Sequence, residues 1–394
     1  MIVTKCYVRI CSIIILLLIF SVGTLGCEIS DNGAPVSKPQ DTVPKSDEQL
    51  VEDVMQDMSL SDMVYQMMFV TPESIAGVGT VTRAGATTKN ALQKYPVGGI
   101  VYFGKNLRNP EQTSQMIANT QSYSKIPLFI SVDEEGGRVA RLGQNPKMGT
   151  TKLPPMRKIG ESNDPQKAYE VGVTLANDLK KFGFNMNFAP DADVLVNQSN
   201  TEIGDRSFGS DGKTVAVMTE NVVRGMQENG ISSTLKHFPG HGSTYLNSHS
   251  SYSESTRTLE ELRNTEFLPF VAGIEADVDF IMVSHMTLVN ATKENVPCSV
   301  SKEVISDMLI RELGYDGIII TDSFSMGAVT DAYSPGIAAV KAVNAGADMI
   351  LMTPDVNQAH DALVNAVKSG EIPKERIEAS VRKILLLKAK KDML

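Results

Sequence analysis

Eight hydrophobic runs recur along the chain, and each has the length of a β-strand. Most of them are continuously apolar instead of alternating, which is typical of strands buried on both faces of a parallel sheet. The predicted strands are Gln66–Val70, Gly98–Phe103, Pro127–Val132, Asn185–Ala189, Ser232–Lys236, Phe280–Ser284, Gly317–Thr321 and Asp348–Met352.

Amphipathic stretches of helical length separate these strands. The predicted helices include Asp164–Lys181, Thr214–Asn229, Leu259–Glu275, Lys302–Leu313 and Gly336–Ala345, and a last helix runs from Pro373 to Lys391. Eight strands alternating with helices predict an α/β protein, a single-domain (β/α)₈ TIM barrel. The alternative, a doubly wound open sheet, would have fewer strands and usually a Gly-rich phosphate loop after the first strand. Residues 68–72, Met-Phe-Val-Thr-Pro, are not such a loop.

Polar clusters follow five of the predicted strands, each at the carboxyl end. They are residues 133–138 (Asp-Glu-Glu-Gly-Gly-Arg) after the third strand, Asp191 and Asp193 after the fourth, residues 236–242 at the fifth, His285 after the sixth and Asp322 after the seventh. Barrel enzymes place their chemistry at the carboxyl ends of the strands. The common position of the five clusters therefore supports the barrel and predicts an enzyme.

Residues 1–27 have the layout of a secretory signal. Lys5 and Arg9 precede an apolar run from Ile10 to Val22, and small residues follow this run. The run is shorter than the roughly 20 residues that a membrane-spanning helix needs. Cys27 follows a Leu-Gly pair as in a bacterial lipobox, although Thr24 stands where a branched aliphatic residue is usual. We expect lipidation at Cys27 and tethering to the cell membrane outside the cytoplasm, with simple secretion or an uncleaved anchor as alternatives.

Composition limits the remaining possibilities. Residues 28–46 are polar with few large apolar groups, which predicts a flexible tether and leaves residues 47–394 for the barrel. Of the four cysteines only Cys298 lies beyond the signal, so no internal disulfide framework is expected. The formal net charge is −9 and no dense Lys/Arg stripe is present, which argues against nucleic acid as a partner.

Residues 236–249 read Lys-His-Phe-Pro-Gly-His-Gly-Ser-Thr-Tyr-Leu-Asn-Ser-His and contain three of the five histidines. The glycines and the proline predict a sharply bent loop at a strand end, where polar side chains converge. A solvated loop that merely contains histidines is the alternative. His237 and His241 are four residues apart, but Pro239-Gly240 between them prevents a shared helix face. We therefore expect no metal and no cofactor.

Asp322 ends the seventh predicted strand and is a candidate nucleophile, base or sugar ligand. A carboxylate nucleophile can attack the anomeric carbon of a sugar, which splits hydrolysis into two steps through a glycosyl-enzyme intermediate. His249 can protonate the leaving oxygen and then deprotonate water, because an unperturbed imidazole has a pKa near neutrality. The alternative for Asp322 is a cap on the following helix.

Five further side chains offer hydrogen-bond donors and acceptors suited to the hydroxyls of a sugar ring, although each alone can be a structural ion pair. They are Asp133, Arg141, Arg206, Lys236 and His237. The chain has no Trp, the side chain that often stacks on sugars, and Tyr and Phe can take its place.

These motifs resemble the β-N-acetylglucosaminidases of glycoside hydrolase family 3, over nearly the whole of residues 47–394. The most specific segments are residues 133–139, residues 236–242, Ser248-His249 and Thr321-Asp322. The resemblance implies that Asp322 is the nucleophile, that His249 on a mobile loop is an unusual acid/base, and that the five polar residues above hold a terminal N-acetylglucosamine.

The resemblance also implies an activity. We expect a monomeric, retaining exo-β-N-acetylglucosaminidase that cleaves muropeptides or chitin fragments, without the second domain found in some members of the family. β-Glucosidase or β-xylosidase activity is the alternative within the family, and the sequence leaves open whether water or phosphate accepts the sugar.

Two positions depart from the family pattern, which has aspartates where this chain has Ser243 and Asn247. In the family the second aspartate forms a dyad with the catalytic histidine. Asn247 can orient the ring of His249, but it supplies no negative charge, so the pKa of His249 should be lower and acid catalysis weaker. A sugar-binding lipoprotein that has lost catalysis is therefore a further alternative.

Overall fold

All eight predicted strands are present in the computed structural model, which describes residues 45–246 and 253–394. They are β1 (Met68–Val70), β2 (Gly99–Val101), β3 (Phe129–Ser131), β4 (Met186–Asn187), β5 (Ser232–Phe238), β6 (Phe280–Val283), β7 (Ile318–Thr321) and β8 (Ile350–Leu351). Most are shorter than predicted, whereas β5 extends through Lys236 and His237 to Phe238.

The eight strands follow one another around a ring. They form two four-stranded parallel sheets, in the orders β8-β1-β2-β3 and β7-β6-β5-β4. Backbone hydrogen bonds join the two sheets at both boundaries: the Phe188 amide donates to Val132 O (3.0 Å) between β4 and β3, and the Thr321 amide donates to Met349 O (3.1 Å) between β7 and β8. Each strand therefore neighbours the next one in the chain, as in a (β/α)₈ barrel.

Helices connect the strands. Their bounds are Asp47–Gln56, Leu60–Gln66, Pro72–Ala76, Ala86–Lys94, Pro110–Tyr123, Met156–Glu161, Pro165–Lys180, Gly212–Gln227, Leu259–Asn264, Phe267–Glu275, Glu303–Glu312 (of π type), Gly327–Thr330, Pro335–Ala345, Val356–Ser369 and Lys374–Lys390, with 3₁₀ turns at Gly104–Asn106, Gly204–Arg206, His241–Ser243 and Cys298–Val300. Several helices are preceded by a residue whose side chain caps the N-terminus. For example, Asp211 accepts a hydrogen bond from the Thr214 amide (2.8 Å).

The prediction of one continuous helix over residues 259–275 was wrong. This segment divides into Leu259–Asn264 and Phe267–Glu275, with a break at Thr265. Pro269 explains the break, because proline lacks an amide hydrogen and its ring collides with the preceding turn inside a helix. It is tolerated here because it lies in the first turn of the second helix.

Short strands outside the barrel build its mouth. Glu134–Gly136 and Val139–Ala140 form an antiparallel pair after β3. Tyr245–Leu246, Ser253–Ser255 and Thr287–Leu288 form a three-stranded sheet after β5 and β6. The sequence pattern did not predict these strands, and the three-stranded sheet joins the segments that follow β5 and β6.

Aromatic side chains fill the interior of the barrel. The rings of Phe69 and Phe188 lie 5.3 Å apart, and those of Phe129 and Phe280 lie 5.1 Å apart in a T-shaped contact. Because each pair joins strands that are not neighbours, the contacts cross the barrel, and all four side chains are buried. Such aromatic pairs stabilise a core beyond their buried area alone.

The predicted signal (residues 1–27) with Cys27, most of the predicted tether (residues 28–46), and Asn247, Ser248 and His249 lie outside the described residues. Residues 45–394 group into one compact unit. Across residues 45–246 and 253–394, every helix is too short or too polar to cross a membrane.

Candidate active site

A cavity of about 310 Å³ opens at the carboxyl ends of the barrel strands. It is lined by all of the predicted site residues that the structure describes, namely Asp133, Arg141, Arg206, Lys236, His237 and Asp322. Apolar side chains, among them Phe103, Met282 and Leu351, complete its walls. The six polar residues come from four different strand ends, so only closure of the barrel brings them together.

Asp322 directly follows β7. Its amide donates to Val283 O (2.8 Å), and its Oδ1 accepts a hydrogen bond from the Ser323 amide (2.6 Å). Burial alone would raise the pKa of the Asp322 carboxyl, but His285, His237 and the Ser323 amide outweigh burial and hold the pKa below its usual value. The carboxylate is therefore ionised at neutral pH, as a nucleophile must be.

Lys236 joins two carboxylates beneath the cavity. Its Nζ lies 2.9 Å from Asp133 Oδ1 and 2.7 Å from Glu135 Oε1. Burial alone would lower the pKa of Lys236, but the charges of Asp133 and Glu135 outweigh it and raise the pKa. Arg141 approaches the other oxygen of Asp133 at 3.4 Å. Asp133 is thus held between two cations, and its side chain keeps 18% of its surface exposed to the cavity.

Arg206 makes a bidentate pair with Glu135, with distances of 2.9 Å from Nε to Oε2 and 2.8 Å from Nη2 to Oε1. This geometry is the strong, planar form of a guanidinium–carboxylate contact. Nε of Arg206 also lies 3.3 Å from Asp191 Oδ2. Burial and the charge of Asp193 raise the pKa of Asp191, although the charge of Arg206 opposes this effect. Asp191 therefore holds its proton more tightly than an ordinary aspartic acid.

His237 is oriented by Asp193, with 2.8 Å between Nδ1 and Oδ2. Burial alone would lower the pKa of His237, but the hydrogen bond and charge of Asp193 outweigh it and raise the pKa. The other oxygen of Asp193 accepts a hydrogen bond from the His241 amide. The Asp193 carboxylate therefore fixes both the imidazole ring and the start of the loop that follows β5.

The two glycines in residues 236–242 are required by close packing. Gly240 has φ +131°, and a Cβ atom there would lie 2.6 Å from Cβ of Glu266. A Cβ at Gly242 would collide with the carbonyl of Val194. Any other residue at these two positions would push the loop away from the barrel, so the glycines let His237 and His241 lie at the mouth.

The predicted site omitted Glu135 and Asp193, although both belong to clusters noted in the sequence. The sequence feature that could have identified Glu135 is its position two residues after Asp133, because residues two apart point to the same face of an extended segment. Glu134 points the other way and accepts hydrogen bonds from the amides of Leu142 (2.7 Å) and Gly143 (2.9 Å). The spacing alone could not show which face looks into the cavity.

Asp191, Asp193 and His237 are the described residues whose donor atoms lie close enough to hold a metal ion, within 4.8 Å of one another. His237 Nδ1 and Asp193 Oδ2 bind each other, and Arg206 Nε lies 3.3 Å from Asp191 Oδ2.

The chain matches the model of the glycosyl hydrolase family 3 N-terminal domain over residues 59–387. It is 34% identical over 277 residues to a beta-hexosaminidase of Stenotrophomonas maltophilia, a match that covers 69% of this chain and 80% of the relative. It is 30% identical over 344 residues to beta-hexosaminidase A of Pseudoalteromonas piscicida, covering 78% of this chain. This protein therefore belongs to glycosyl hydrolase family 3.

The fold is also similar to a solved family 3 β-N-acetylglucosaminidase from Paenibacillus sp. FPU-7, with a TM-score of 0.79 and 36% sequence identity. That match covers 85% of this chain and 63% of the other. The chain likewise spans 56% of the length of the Pseudoalteromonas protein. Some relatives are therefore considerably longer than the segment they share with this barrel.

Proposed function

We propose that this protein is a retaining exo-β-N-acetylglucosaminidase, with Asp322 as the nucleophile. The observation that carries the proposal is the state of the cavity carboxylates. Asp133 and Glu135, the two other carboxylates that line the cavity, each lie within 4.0 Å of the Lys236 ammonium. Within residues 45–246 and 253–394, Asp322 has no such partner. It is ionised and lines the cavity, so it is the carboxylate that is available to attack a sugar.

The remaining polar groups suit the binding of a terminal sugar. Asp133 accepts hydrogen bonds, and Lys236, Arg141 and Arg206 donate them, in a cavity about large enough for one ring. A carboxylate attack at the anomeric carbon forms a glycosyl-enzyme, which water then hydrolyses with retention of configuration. His249 is proposed as the acid and base for these two steps, on the strength of its place in the family motif.

The N-acetyl sugar is proposed because of the names of the relatives, several of which are called beta-hexosaminidases. A comparison of aryl glycosides tests it. The purified protein should hydrolyse nitrophenyl N-acetyl-β-glucosaminide faster than the matching β-glucoside and β-xyloside. Proton NMR during the reaction should show the β-anomer as the first product. A faster β-glucoside reaction would contradict the proposed substrate, and an initial α-anomer would contradict the retaining mechanism.

Asp322→Ala tests the nucleophile. Removal of the carboxylate should reduce turnover of the nitrophenyl substrate by at least about 10³-fold, since covalent catalysis depends on it. Asp307→Ala, which removes an exposed carboxylate on the helix Glu303–Glu312, is the control and should keep full activity. Binding of N-acetylglucosamine by calorimetry without any turnover in the unaltered protein would instead favour a sugar-binding protein.

We further propose that Cys27 carries a lipid anchor and that the natural substrates are muropeptides or chitin fragments. The support for the anchor is the signal-like sequence that precedes Cys27. In a bacterial host, Cys27→Ala should move the protein from the membrane fraction to the soluble fraction. Incubation with purified muropeptides and with chitobiose, with and without phosphate, should identify both the preferred glycan and the acceptor.

A further inference from the structure

His285 lies beside the candidate nucleophile, yet the proposed function gives it no role. It follows β6, and the residue is 3% exposed. Its two ring nitrogens have different partners: Nε2 lies 2.8 Å from the carbonyl oxygen of Ser323, and Nδ1 lies 2.7 Å from the hydroxyl of Ser299. Ser323 is the residue directly after Asp322, so the ring binds the turn that carries the nucleophile.

The partners determine the tautomer of His285. A carbonyl oxygen only accepts hydrogen bonds, so Nε2 carries a hydrogen and donates to Ser323. Burial lowers the pKa of the ring, which keeps it neutral. Nδ1 of a neutral ring with a protonated Nε2 has a free lone pair, so it accepts a hydrogen bond from Ser299. The Ser323 carbonyl therefore selects the tautomer, and the Ser299 hydroxyl satisfies the other ring nitrogen by donating to it.

Three hydrogen bonds join the turn over residues 322–324 to neighbouring strands and strand ends. The Asp322 amide donates to Val283 O (2.8 Å) on β6, and the Phe324 amide donates to Leu351 O (2.9 Å) on β8. Both of these are backbone bonds and would survive most substitutions. The Ser323 carbonyl accepts a hydrogen bond from the side chain of His285 (2.8 Å) and, within the turn, another from the Met326 amide (3.1 Å). Of these three bonds, the one from His285 is therefore the bond that depends on a particular type of side chain.

The Ser323 peptide is coupled to the carboxylate itself. The Ser323 amide donates to Oδ1 of Asp322 at 2.6 Å, so any rotation of Ser323 would move the hydrogen bond that orients the carboxylate. Misplacement of a reacting group by about 1 Å can cost about 10²-fold in rate. We propose that His285, whose ring is held by Ser299, is a positioning residue that keeps the Asp322 carboxylate in line with the anomeric carbon.

The inference rests on the proposed role of Asp322 as nucleophile, and formation of the glycosyl-enzyme tests it. The probe is 2-acetamido-2-deoxy-5-fluoro-β-D-glucopyranosyl fluoride. The carboxylate attacks its anomeric carbon, the bond to fluorine breaks, and a glycosyl ester and a fluoride ion form. Intact mass spectrometry then measures two quantities, the rate and the final extent of labelling. A positioning role changes the rate, whereas partial unfolding reduces the extent.

Two substitutions at His285 separate the hydrogen bond from packing. His285→Phe keeps a ring against Phe324, whose centroid lies 5.7 Å away, but removes both hydrogen bonds. It should label to full extent about 10²-fold more slowly. His285→Gln restores an N–H donor and should recover to within about tenfold of the original rate. The inhibition constant of N-acetylglucosamine should stay within about threefold in both variants, because the sugar-binding side chains are unchanged.

Ser299→Ala tests the hydrogen bond that holds the His285 ring. It should slow labelling by about 3- to 10-fold, the usual worth of one hydrogen bond. The matched control is His360→Phe. His360 is also buried and bonded through both nitrogens, to Ser61 (2.9 Å) and Asp361 (2.9 Å), but it lies on the helix Val356–Ser369 away from the cavity. This control should leave the labelling rate unchanged.

The outcomes separate the two proposals. If the unaltered protein forms no adduct, or forms it on a residue other than Asp322, the proposed function fails. If the adduct forms on Asp322 and His285→Phe labels at the original rate, only the role of His285 is overturned. If His285→Phe does not fold, Ser299→Ala and His285→Gln provide the test. The inference is overturned if Ser299→Ala labels at the original rate. It is also overturned if labelling of His285→Gln is reduced as far as in Asp322→Ala.

Discussion

Nζ of Lys236 lies 2.7 Å from Oε1 of Glu135, and both side chains are almost wholly withdrawn from solvent, with 3% and 1% of their surface exposed. Asp133 binds the same ammonium group but keeps 18% of its surface open to the cavity. One lysine therefore joins a carboxylate that supports the barrel to a carboxylate that can contact a ligand. This arrangement predicts different effects for two isosteric substitutions.

Glu135→Gln should mainly destabilise the protein. It leaves Lys236 and Arg206 without their shared counter-charge, and removal of one partner from a buried ion pair costs about 3–5 kcal/mol. Asp133→Asn should cost less stability and should instead weaken binding of N-acetylglucosamine. Urea unfolding and inhibition constants, measured on both variants, would show the contrast. Equal losses of stability in the two variants would contradict the division of roles.

Asp193→Asn should reveal a window of pH in which the pair with His237 stabilises the fold. The pKa of His237 is raised, so its contribution is complete below about pH 6.5 and is lost as the pH rises through the folded-state pKa. Burial opposes ionisation of Asp193, but His237 and the His241 amide outweigh it and lower the pKa. The contribution of Asp193 is therefore complete above about pH 3.9 and is lost at lower pH.

The difference in unfolding free energy between the original protein and Asp193→Asn should thus be largest between about pH 4 and 6.5. It should decrease on both sides of this window. Thermal unfolding in a series of buffers measures it, with Asp205→Asn as the control, because Asp205 forms a half-exposed pair with Arg138. A difference that does not change with pH would show that the pair is not ionic.

Asn247→Asp should strengthen acid catalysis, if His249 is the acid. The new carboxylate would supply the charge that stabilises an imidazolium, so the basic limb of the pH–rate profile should move upward. Cleavage of disaccharides, whose leaving groups need a proton, should rise by about tenfold, within the range known for general acids. Nitrophenyl substrates should change little. If neither the disaccharide rate nor the pH profile changes, another group already supplies the charge.

Lys388→Met should stabilise the protein at low pH and destabilise it at high pH. Lys388 is buried in the last helix, where its Nζ donates to Gln66 Oε1 (2.8 Å) and lies 5.2 Å from the centre of the Phe129 ring. Burial lowers its pKa to about 7. The cost of the buried charge is therefore complete below about pH 7 and disappears as the pH rises towards 10.4, the pKa of an unfolded lysine.

The methionine variant escapes that cost but leaves Gln66 Oε1 without its donor, which costs about 1–3 kcal/mol at any pH. The difference in melting temperature between variant and original protein should consequently change sign between about pH 6 and pH 10. Lys390→Met, a change two residues further along the same helix at an exposed position, is the control and should show no such reversal. A constant difference across this range would contradict a neutral Lys388.

The sequence alone was sufficient to predict the barrel strands and the ends at which the chemistry lies. Residues 318–321, Ile-Ile-Ile-Thr, illustrate the reason: a strand buried on both faces must be apolar throughout, so the point where polarity returns marks the strand end at Asp322. The same property located Asp133, Lys236 and His237. All of them line one cavity, because parallel strands in a closed ring direct their carboxyl ends to the same side.

The tertiary structure decided which polar groups meet and which charges they carry. No spacing in the chain relates Glu135 to Arg206, Asp193 to His237, or His285 to the Ser323 carbonyl, because these contacts join segments that only the closed barrel brings together. Burial then determines which groups are ionised. It favours the protonated form of Asp191 and the neutral form of His285, whereas neighbouring charges and hydrogen bonds keep Asp322 ionised. The sequence specifies the identity of each group, but its protonation depends on the distance to every other charge, which the fold alone determines.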